Sequence, residues 1–262
     1  RVVARILARI DDFDRVWSRF RDDSLVSRIA TTPGRYALPS EAGPLLDLYR
    51  TLYEVTSGSV SPLVGRRLEH LGYDPDYSFR VSTDPAAVPV WDDRVLWDDT
   101  HLTTTSPVTI DVGAAGKGYL VDIVAGLLDD AGIDDYVVNA SGDLRHRGSS
   151  PVRVALEHPF DTTMAIGVVE LHNSSVCASA PNRRTWGDGL HHIIDATTGL
   201  PTTAIAATWA FASTALVADG LATALFFADH AALAGTFELA SIRMLVDGRV
   251  DVSPNFEGEL FS

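Results

Sequence analysis

Residues 107–143 are the most informative part of this chain, and they read PVTIDVGAAGKGYLVDIVAGLLDDAGIDDYVVNASGD. A β-branched run, Val108 to Ile110, ends in Asp111, and three glycines surround Lys117. An apolar stretch of helical period follows, and then a second strand-like run, Tyr136 to Val138. A strand, a glycine-rich turn and a helix start can together aim backbone N–H groups and a lysine at an anion. The segment therefore predicts an anion-binding site.

The glycine spacing excludes two common phosphate-binding loops. A Walker loop has four residues between its first glycine and Gly-Lys, whereas Gly113 and Gly116 are closer and Gly118 follows Lys117. The dinucleotide pattern G-x-G-x-x-G is absent too, because these glycines form G-x-x-G-x-G. Taken alone, the segment is equally consistent with a tight strand-to-helix turn and a solvated lysine.

The 262-residue chain is acidic, with 21 Lys and Arg against 35 Asp and Glu and a net charge of −14. Nucleic-acid backbones and anionic membrane surfaces are bound through clustered positive charge, so we expect neither as the main partner. No run approaches the roughly 18 apolar residues that a membrane span needs. A small anionic ligand remains compatible, because a few local donors or a divalent cation are enough to bind it.

Cysteine usage limits the kinds of site that the chain can form. Cys177 is the single cysteine, which excludes an internal disulfide and a multi-cysteine metal site. We expect it to be a small buried apolar residue. No signal peptide or lipid-attachment cysteine is visible, which favours a soluble, cytoplasmic protein. The chain opens at Arg1 rather than Met, inside a helical pattern, so the compartment stays open.

The hydrophobic pattern predicts helices mixed with many strands. Apolar residues at three- and four-residue intervals predict a helix over residues 2–20, and Ser40 is the expected cap of a helix that runs to about Thr56. Short alternating runs at 74–106, Val88 to Asp93 among them, predict a β-hairpin. Further strands are predicted at roughly 152–157, 164–171, 190–194 and 242–247, and helices at 213–228 and near 230–240. We therefore expect an α+β (mixed α/β) fold.

The helix predicted at 213–228 is apolar on nearly all sides, which indicates burial. Asp219 and Thr223 lie four residues apart in it and hence on one face. A buried carboxylate needs a partner. Hard oxygen ligands of this kind suit Mg²⁺. The alternative, which the pattern by itself favours, is that an Arg pairs with Asp219 and Thr223 bonds back to the carbonyl of residue 219.

Two adjacent histidines, His191 and His192, precede Ile-Ile-Asp195-Ala-Thr-Thr-Gly-Leu-Pro201. Successive side chains of an extended segment point to opposite faces, so only one histidine can share a face with Ile194. A histidine here can serve as a general base near neutral pH, and the alternative is a hydrogen-bonded structural histidine. Asp195 followed by Thr-Thr-Gly predicts an Asx-type turn.

Five segments, in this order, resemble the signatures of the FAD:protein FMN transferase (ApbE) family. They are Ser24-Leu-Val-Ser-Arg28, Thr56-Ser-Gly-Ser-Val-Ser-Pro-Leu-Val-Gly65, Asp111 to Asp122 with Asn139-Ala-Ser-Gly-Asp143, His192-Ile-Ile-Asp-Ala-Thr-Thr-Gly-Leu-Pro201, and Ala218-Asp-Gly-Leu-Ala-Thr-Ala224. The resemblance covers about residues 15–230. It implies a single ApbE-like domain of mixed sheets with packed helices over residues 1–262.

The resemblance also implies an activity. An enzyme of this family uses Mg²⁺, cleaves the pyrophosphate of FAD, moves the FMN half onto a Thr or Ser hydroxyl of a target flavoprotein and releases AMP. Two other outcomes stay open for the same site. One is a Mg²⁺-dependent FAD pyrophosphatase that gives FMN and AMP, and the other is a non-enzymatic FAD-binding protein.

Individual residues take roles from the same resemblance. His192 matches the histidine proposed as the base that deprotonates the acceptor hydroxyl. Asp111 and Lys117 match positions that contact FAD. Ala114 matches a position that offers a main-chain oxygen to the metal, and the side-chain metal ligands are matched by Asp219 and Thr223. Positions that line the flavin or adenine site are matched by Phe20, Ser59, Val60, Ser61 and Ile194.

Some positions depart from the family pattern. Ser61 replaces the usual Asp, which places one FAD contact in question, and Phe20 stands where a tyrosine is common. Ala196 replaces a proline, and Ser141 replaces a glycine. The family's N-terminal strand, whose Met-Gly-Thr segment closes over the flavin, has no counterpart in this chain.

Overall fold

The structure is a computed structural model that describes residues 2–83, 87–98 and 100–261. The helices are α1 Val2–Trp17, α2 Leu25–Thr31, α3 Ala42–Val55, α4 Gly65–His70, α5 Trp91–Arg94, α6 Gly116–Asp129, α7 Ala215–Ala224 and α8 His230–Ala234, with a 3-10 helix at Pro62–Val64. Among the described residues, no helix combines the length and the apolar character that crossing a membrane requires.

The strands of the described chain are mostly short, and twelve of the sixteen lie in three sheets. They are β1 Gly34–Ala37, β2 Val95–Trp97, β3 His101–Thr104, β4 Tyr136–Asn139, β5 Asp143–Arg147, β6 Val152–His158, β7 Asp161–Leu171, β8 Ser175–Ser179, β9 Thr185–Trp186, β10 Leu190–His191, β11 Ile194–Asp195, β12 Leu200–Pro201, β13 Ile205–Ala212, β14 Ala240–Leu245, β15 Val250–Val252 and β16 Glu259–Leu260. The mixture of helix and sheet confirms the α+β prediction, and the assignment of one domain to residues 1–262 stays a prediction.

A six-stranded sheet in the order β15-β14-β13-β8-β5-β4 forms the centre of the molecule. Its strand pairs are antiparallel, with Thr208 opposite Ser179 and Asp143 opposite Cys177. Three-stranded sheets in the orders β1-β3-β2 and β16-β7-β6 and two small hairpins, β9–β10 and β11–β12, complete the strands.

The central sheet is covered on both faces, because alternate residues of β13 enter two different apolar clusters. Trp209 packs with residues of β6, β7 and β14, whereas Ala210 packs with residues of α1, α3, α6 and α7. Strand β13 is therefore buried almost throughout. Cys177 is fully buried in the helical cluster, as expected for a small apolar residue. The helical layer is the part of the fold that builds the site.

Two predicted strands are wrong. Residues Val108 to Ile110 are buried but pair with no strand of the described chain; the next residue, Asp111, is fixed instead by its N–H, which donates to Pro62 O at 2.8 Å. Residues 91–94 of the predicted hairpin form α5, and Pro89, two residues before that helix begins, has no N–H to donate to a ladder. The hairpin of the 74–106 region is β2–β3, and residues 84–86 and 99 lie outside the described residues.

Other boundaries need smaller corrections. Ser40 does not cap α3; Glu41 holds that position without a side-chain cap, and its carboxylate bonds to Arg9 instead. The strand predicted at 190–194 is split into β10 and β11, with His192 between them. The predicted helices near the C-terminal end are shorter than expected, at Ala215–Ala224 and His230–Ala234.

Candidate active site

Residues 113–118, with Lys117 among them, form a turn and a helix start that we call the glycine–lysine bend. A central cavity of about 410 Å³ opens where this bend meets the end of α1 and one face of α7. All of the predicted site residues except Asp219 line it: Phe20, Ser59, Val60, Ser61, Asp111, Ala114, Lys117, His192, Ile194 and Thr223. A second cavity of about 420 Å³ adjoins it and contains Asp219. The two cavities share a wall made of Gly113, Lys117, Ser179, Arg184 and His192.

Asp111 organises the bend before α6. Its Oδ1 accepts from Gly113 N–H at 2.7 Å, and its Oδ2 accepts from Arg19 Nε at 2.6 Å. The N–H of Gly116 donates to Val112 O at 2.7 Å, which closes the turn. The carboxylate therefore holds the bend and a buried arginine in place, and its proposed contact with FAD stays a prediction.

Helices α6 and α7 touch at Gly118. A Cβ on this residue would lie 2.1 Å from Ala215 O and 2.6 Å from Asp219 Cβ, so only glycine permits the approach. Gly118 N–H donates to Asp219 Oδ2 at 2.8 Å. Asp122, farther along α6, accepts from Ala215 N–H at 3.0 Å and so satisfies a free donor at the start of α7. These bonds bring the bend against the face of α7.

Asp219 and Thr223 form hydrogen bonds with the glycine–lysine bend and not with any arginine that the structure describes. Thr223 Oγ1 donates to Ala114 O at 3.4 Å, and Asp219 accepts from Gly118 N–H. The alternative in which Asp219 pairs with an Arg and Thr223 bonds back to the carbonyl of residue 219 is therefore wrong. A carboxylate, a hydroxyl and a main-chain carbonyl converge here instead.

The charges around this point are buried and unbalanced. Asp143 is fully buried, and Lys117 Nζ lies 2.7 Å from its Oδ2. Burial raises the pKa of Asp143, and the Lys117 charge opposes that rise. Burial, and then the neighbouring Asp143 carboxylate, raise the pKa of Asp219 well above its usual range. Burial thus disfavours the ionised form of both carboxylates, and a cation bound beside them would favour that form.

The donors fit Mg²⁺, which takes oxygen ligands and needs only one or two carboxylates beside phosphate oxygens and water. Ala114 O, Thr223 Oγ1 and the Asp219 carboxylate are all hard oxygens. In the described part of the chain, no group of three or more His, Cys, Asp or Glu side chains is placed to hold a metal ion. A cation here would therefore depend on neutral oxygens and on a ligand as well as on Asp219.

The two histidines have different environments. His191 is buried, with its Nε2 2.7 Å from Thr202 O and its Nδ1 accepting from Ile193 N–H at 3.2 Å. His192 lines both cavities, and its buried Nδ1 has no hydrogen-bond partner among the described residues. Burial, and then the charge of Arg184, lower the pKa of His192 to about 4. His191 is thus structural, and His192 is a neutral imidazole facing the cavities.

Two turns hold the wall that carries Ile194 and Ser61. Thr197 N–H donates to Asp195 Oδ1 at 2.8 Å, which confirms the Asx-type turn between β11 and β12. Ser61 Oγ accepts from Leu63 N–H at 3.2 Å and caps the 3-10 helix. Ala196 N–H donates to Ser59 O at 3.0 Å and ties the two turns together.

The sequence did not indicate several residues that line the central cavity. Trp17 and Arg19 come at and just after the end of α1, Tyr49 comes from α3, and Arg184 comes from the loop before β9. Tyr49 is fully buried, and its hydroxyl accepts from Ala114 N–H at 3.1 Å. Burial raises the pKa of Tyr49 well above its usual value. The one local signal was the position of Arg19 next to Phe20.

A model of the ApbE family matches residues 2–244. The chain belongs to the ApbE family. A relative named FAD:protein FMN transferase from Klebsiella pneumoniae (strain 342) is 27% identical over 245 residues, which cover 85% of this chain and 69% of the relative. One of the same name from Escherichia coli (strain K12) is 26% identical over 250 residues, with 84% and 69% covered.

Solved ApbE structures share the fold. The ApbE protein from Thermotoga maritima superposes with a TM-score of 0.82 at 24% identity, covering 97% of this chain and 89% of that one. The flavin transferase ApbE from Vibrio cholerae gives a TM-score of 0.81 at 23% identity, with 97% and 89% covered. This chain therefore has the ApbE-family fold.

Proposed function

We propose that this ApbE-family protein transfers FMN from FAD to a Thr or Ser hydroxyl of an acceptor flavoprotein, uses Mg²⁺ and releases AMP. One observation carries the proposal. Lys117 and His192 lie on the wall shared by the two cavities, beside the oxygen set of Ala114, Asp219 and Thr223. The relatives named FAD:protein FMN transferase support the same reaction.

Three residues would hold the cation. Ala114 O, Thr223 Oγ1 and the Asp219 carboxylate would bind Mg²⁺, which when bound neutralises negative charge on a diphosphate. Gly118 N–H orients Asp219 by its bond to Oδ2, and the glycine–lysine bend orients Ala114 O. These residues thus fix the place where the diphosphate binds.

Lys117 supplies positive charge from the protein itself. Its side chain is 40% exposed, while its partner Asp143 is fully buried, so the ammonium group bridges a buried carboxylate and the cavity. Charge that develops on the phosphoryl oxygens during transfer is stabilised by a cation already in place. An acidic protein can in this way bind an anionic substrate.

His192 is suited to take the proton of the acceptor hydroxyl. Its pKa of about 4 keeps the imidazole neutral at pH 7 but also makes it a weak base, so its contribution rests on its position between the two cavities. The hydroxyl oxygen then attacks the phosphorus of the FMN half, the bond from that phosphorus to the bridging oxygen breaks, and AMP leaves with the bonding electron pair. A positioned base of this kind contributes roughly 10²–10⁴-fold to the rate.

Product analysis tests the proposal against the two other outcomes. The purified protein is incubated with FAD and Mg²⁺, alone and with an acceptor flavoprotein that carries a Thr flavinylation site, and the Thr→Ala form of that acceptor is the control. We expect AMP and a covalent FMN adduct only with the Thr form. FMN and AMP without any adduct would show a pyrophosphatase instead, and unchanged FAD would show a binding protein.

A further inference from the structure

The end of α1 places an incompletely paired cation in the central cavity. Arg19 is 5% exposed, and its Nε donates to Asp111 Oδ2 at 2.6 Å. Its Nη1 and Nη2 are buried and have no hydrogen-bond partner among the described residues. Buried N–H groups without an acceptor are costly, and those of a charged group most of all. A ligand in the cavity is a natural source of the missing acceptors.

Trp17 adds another free donor to the same cavity. Its ring is 3% exposed, and its buried Nε1 also has no partner in the part of the chain that the structure describes. An indole N–H can only donate. Trp17 and Arg19 thus offer donors and no side-chain acceptor.

Aromatic rings flank the guanidinium group. Arg19 Cζ lies 4.2 Å from the centroid of the Phe20 ring and 5.1 Å from that of Tyr73. The two rings meet edge to face, with centroids 5.6 Å apart. Asp111 already offsets the charge of Arg19. Because Asp111 neutralises most of its charge, Arg19 has little left to attract a phosphate dianion. A guanidinium among aromatic rings instead suits a planar heterocycle whose carbonyl oxygens accept hydrogen bonds.

We propose that Arg19 and Trp17 form a subsite for the dioxopyrimidine edge of the isoalloxazine ring, where Arg19 Nη1 and Nη2 and Trp17 Nε1 donate to ring carbonyl and nitrogen acceptors. This inference rests on the proposed function, which makes FAD the substrate. Adenine suits the subsite less, because its exocyclic amino group is itself a hydrogen-bond donor and would face the N–H donors of Arg19 and Trp17. Arg19 is a positioning residue, since holding the ring fixes how far the phosphate can lie from His192.

Separate binding of the two halves of FAD tests the proposal. FMN and AMP are titrated into the intact protein and into the variants Arg19→Gln, Arg19→Lys and Trp17→Phe. Arg21→Gln is the matched control, because Arg21 pairs with Asp23 two residues farther along and does not line the cavity. Thermal unfolding of each variant shows whether it is folded.

We expect Arg19→Gln to weaken FMN binding roughly 10- to 100-fold and to leave AMP binding unchanged, since bonds from a charged donor are lost. The visible absorption bands of bound FMN should shift toward those of free FMN. Arg19→Lys keeps the charge beside Asp111 and should recover part of the affinity. Trp17→Phe keeps an aromatic ring and should lose less FMN affinity than Arg19→Gln. Arg21→Gln should bind FMN as tightly as the unchanged protein.

The proposal is overturned if Arg19→Gln leaves FMN affinity and spectrum unchanged, or if AMP affinity falls as much as FMN affinity. If Arg19→Gln does not fold, Arg19→Lys and Trp17→Phe are judged by the same comparison. Tight FMN binding by a protein that never cleaves FAD would contradict the proposed function and leave this subsite standing. Turnover of FAD with no effect of Arg19→Gln would contradict the subsite alone.

Discussion

Asp219 accepts a hydrogen bond from the backbone N–H of Gly118, 2.8 Å away and 101 residues earlier in the chain. The bond joins the first turn of α6 to the middle of α7. It places the carboxylate beside Lys117 and Thr223, on the border between the two cavities. The proposed cation site and the proposed diphosphate site therefore depend on one close approach of two helices.

Gly118→Ala should separate these helices. The added Cβ would lie 2.1 Å from Ala215 O, which is backbone and cannot rotate away. We expect a loss of about 1–3 kcal/mol in the free energy of unfolding, measured in urea, together with loss of turnover. Gly126→Ala, in the same helix and with nothing within 4 Å, should instead gain about 0.5–1 kcal/mol. Equal stability of the two variants would contradict the close contact between Gly118 of α6 and Ala215 of α7.

Asp219→Asn tests the cation site with little change in shape. The amide can still accept from Gly118 N–H, but it brings no charge. We expect Mg²⁺-dependent turnover to fall by more than the roughly 10–100-fold that losing an outer-shell partner costs. Steady-state rates against Mg²⁺ concentration measure the effect, and the exposed Asp130→Asn is the control. Full activity in Asp219→Asn would remove Asp219 from the proposed ligand set.

His192→Ala should slow transfer and spare binding. Loss of the base is expected to lower the transfer rate by about 10²–10⁴-fold while FAD affinity stays the same. Single-turnover transfer and FAD titration separate the two quantities. Collapse of FAD binding would mean that His192 is structural. His191→Gln, by contrast, should cost stability, because both ring nitrogens of His191 are bonded to the backbone.

The half-buried His192 should also make the fold sensitive to acid, because its surroundings disfavour the protonated ring. Its folded pKa is about 4 against an ordinary 6.5, so the unfolded chain takes up a proton that the folded chain refuses between these values. This contribution lowers the free energy of unfolding as pH falls from about 6.5 to about 4, by up to about 3 kcal/mol, and is absent above pH 6.5. Urea unfolding measures this at pH 5 and pH 7. The free energy of unfolding of His192→Gln, taken relative to the unchanged protein, should be about 2 kcal/mol higher at pH 5 than at pH 7. If the two proteins differ in free energy of unfolding by the same amount at both pH values, His192 does not cause the loss of stability in acid.

Local patterns predicted the parts of the site that local geometry places. Helical spacing put Asp219 and Thr223 on one face, and the glycines around Lys117 indicated a turn at a helix start, both of which the structure shows. The Asx-type turn at Asp195 followed from its side chain alone. In each case the deciding interactions lie within a few residues.

The features that sequence patterns missed depend on distant partners. Arg19 lies past the end of α1, where helical period gives no information, and its bond to Asp111 spans 92 residues. Val108 to Ile110 has the composition of a strand, but the neighbouring segment at Pro62 offers one backbone bond rather than a ladder. Residues 91–93 end the run from Val88 to Asp93 that predicts a strand, yet residues 91–94 form a helical turn after Pro89. In all three segments, contacts with distant parts of the chain decided the conformation.

A structure of the protein with FAD and Mg²⁺ would show whether one cation joins α7, the glycine–lysine bend and the diphosphate. We expect a cation bound by Ala114 O, Thr223 Oγ1 and Asp219, a diphosphate between that cation and Lys117 Nζ, and His192 beside the phosphorus of the FMN half. A diphosphate bound elsewhere, with Asp219 free of any cation, would contradict this prediction.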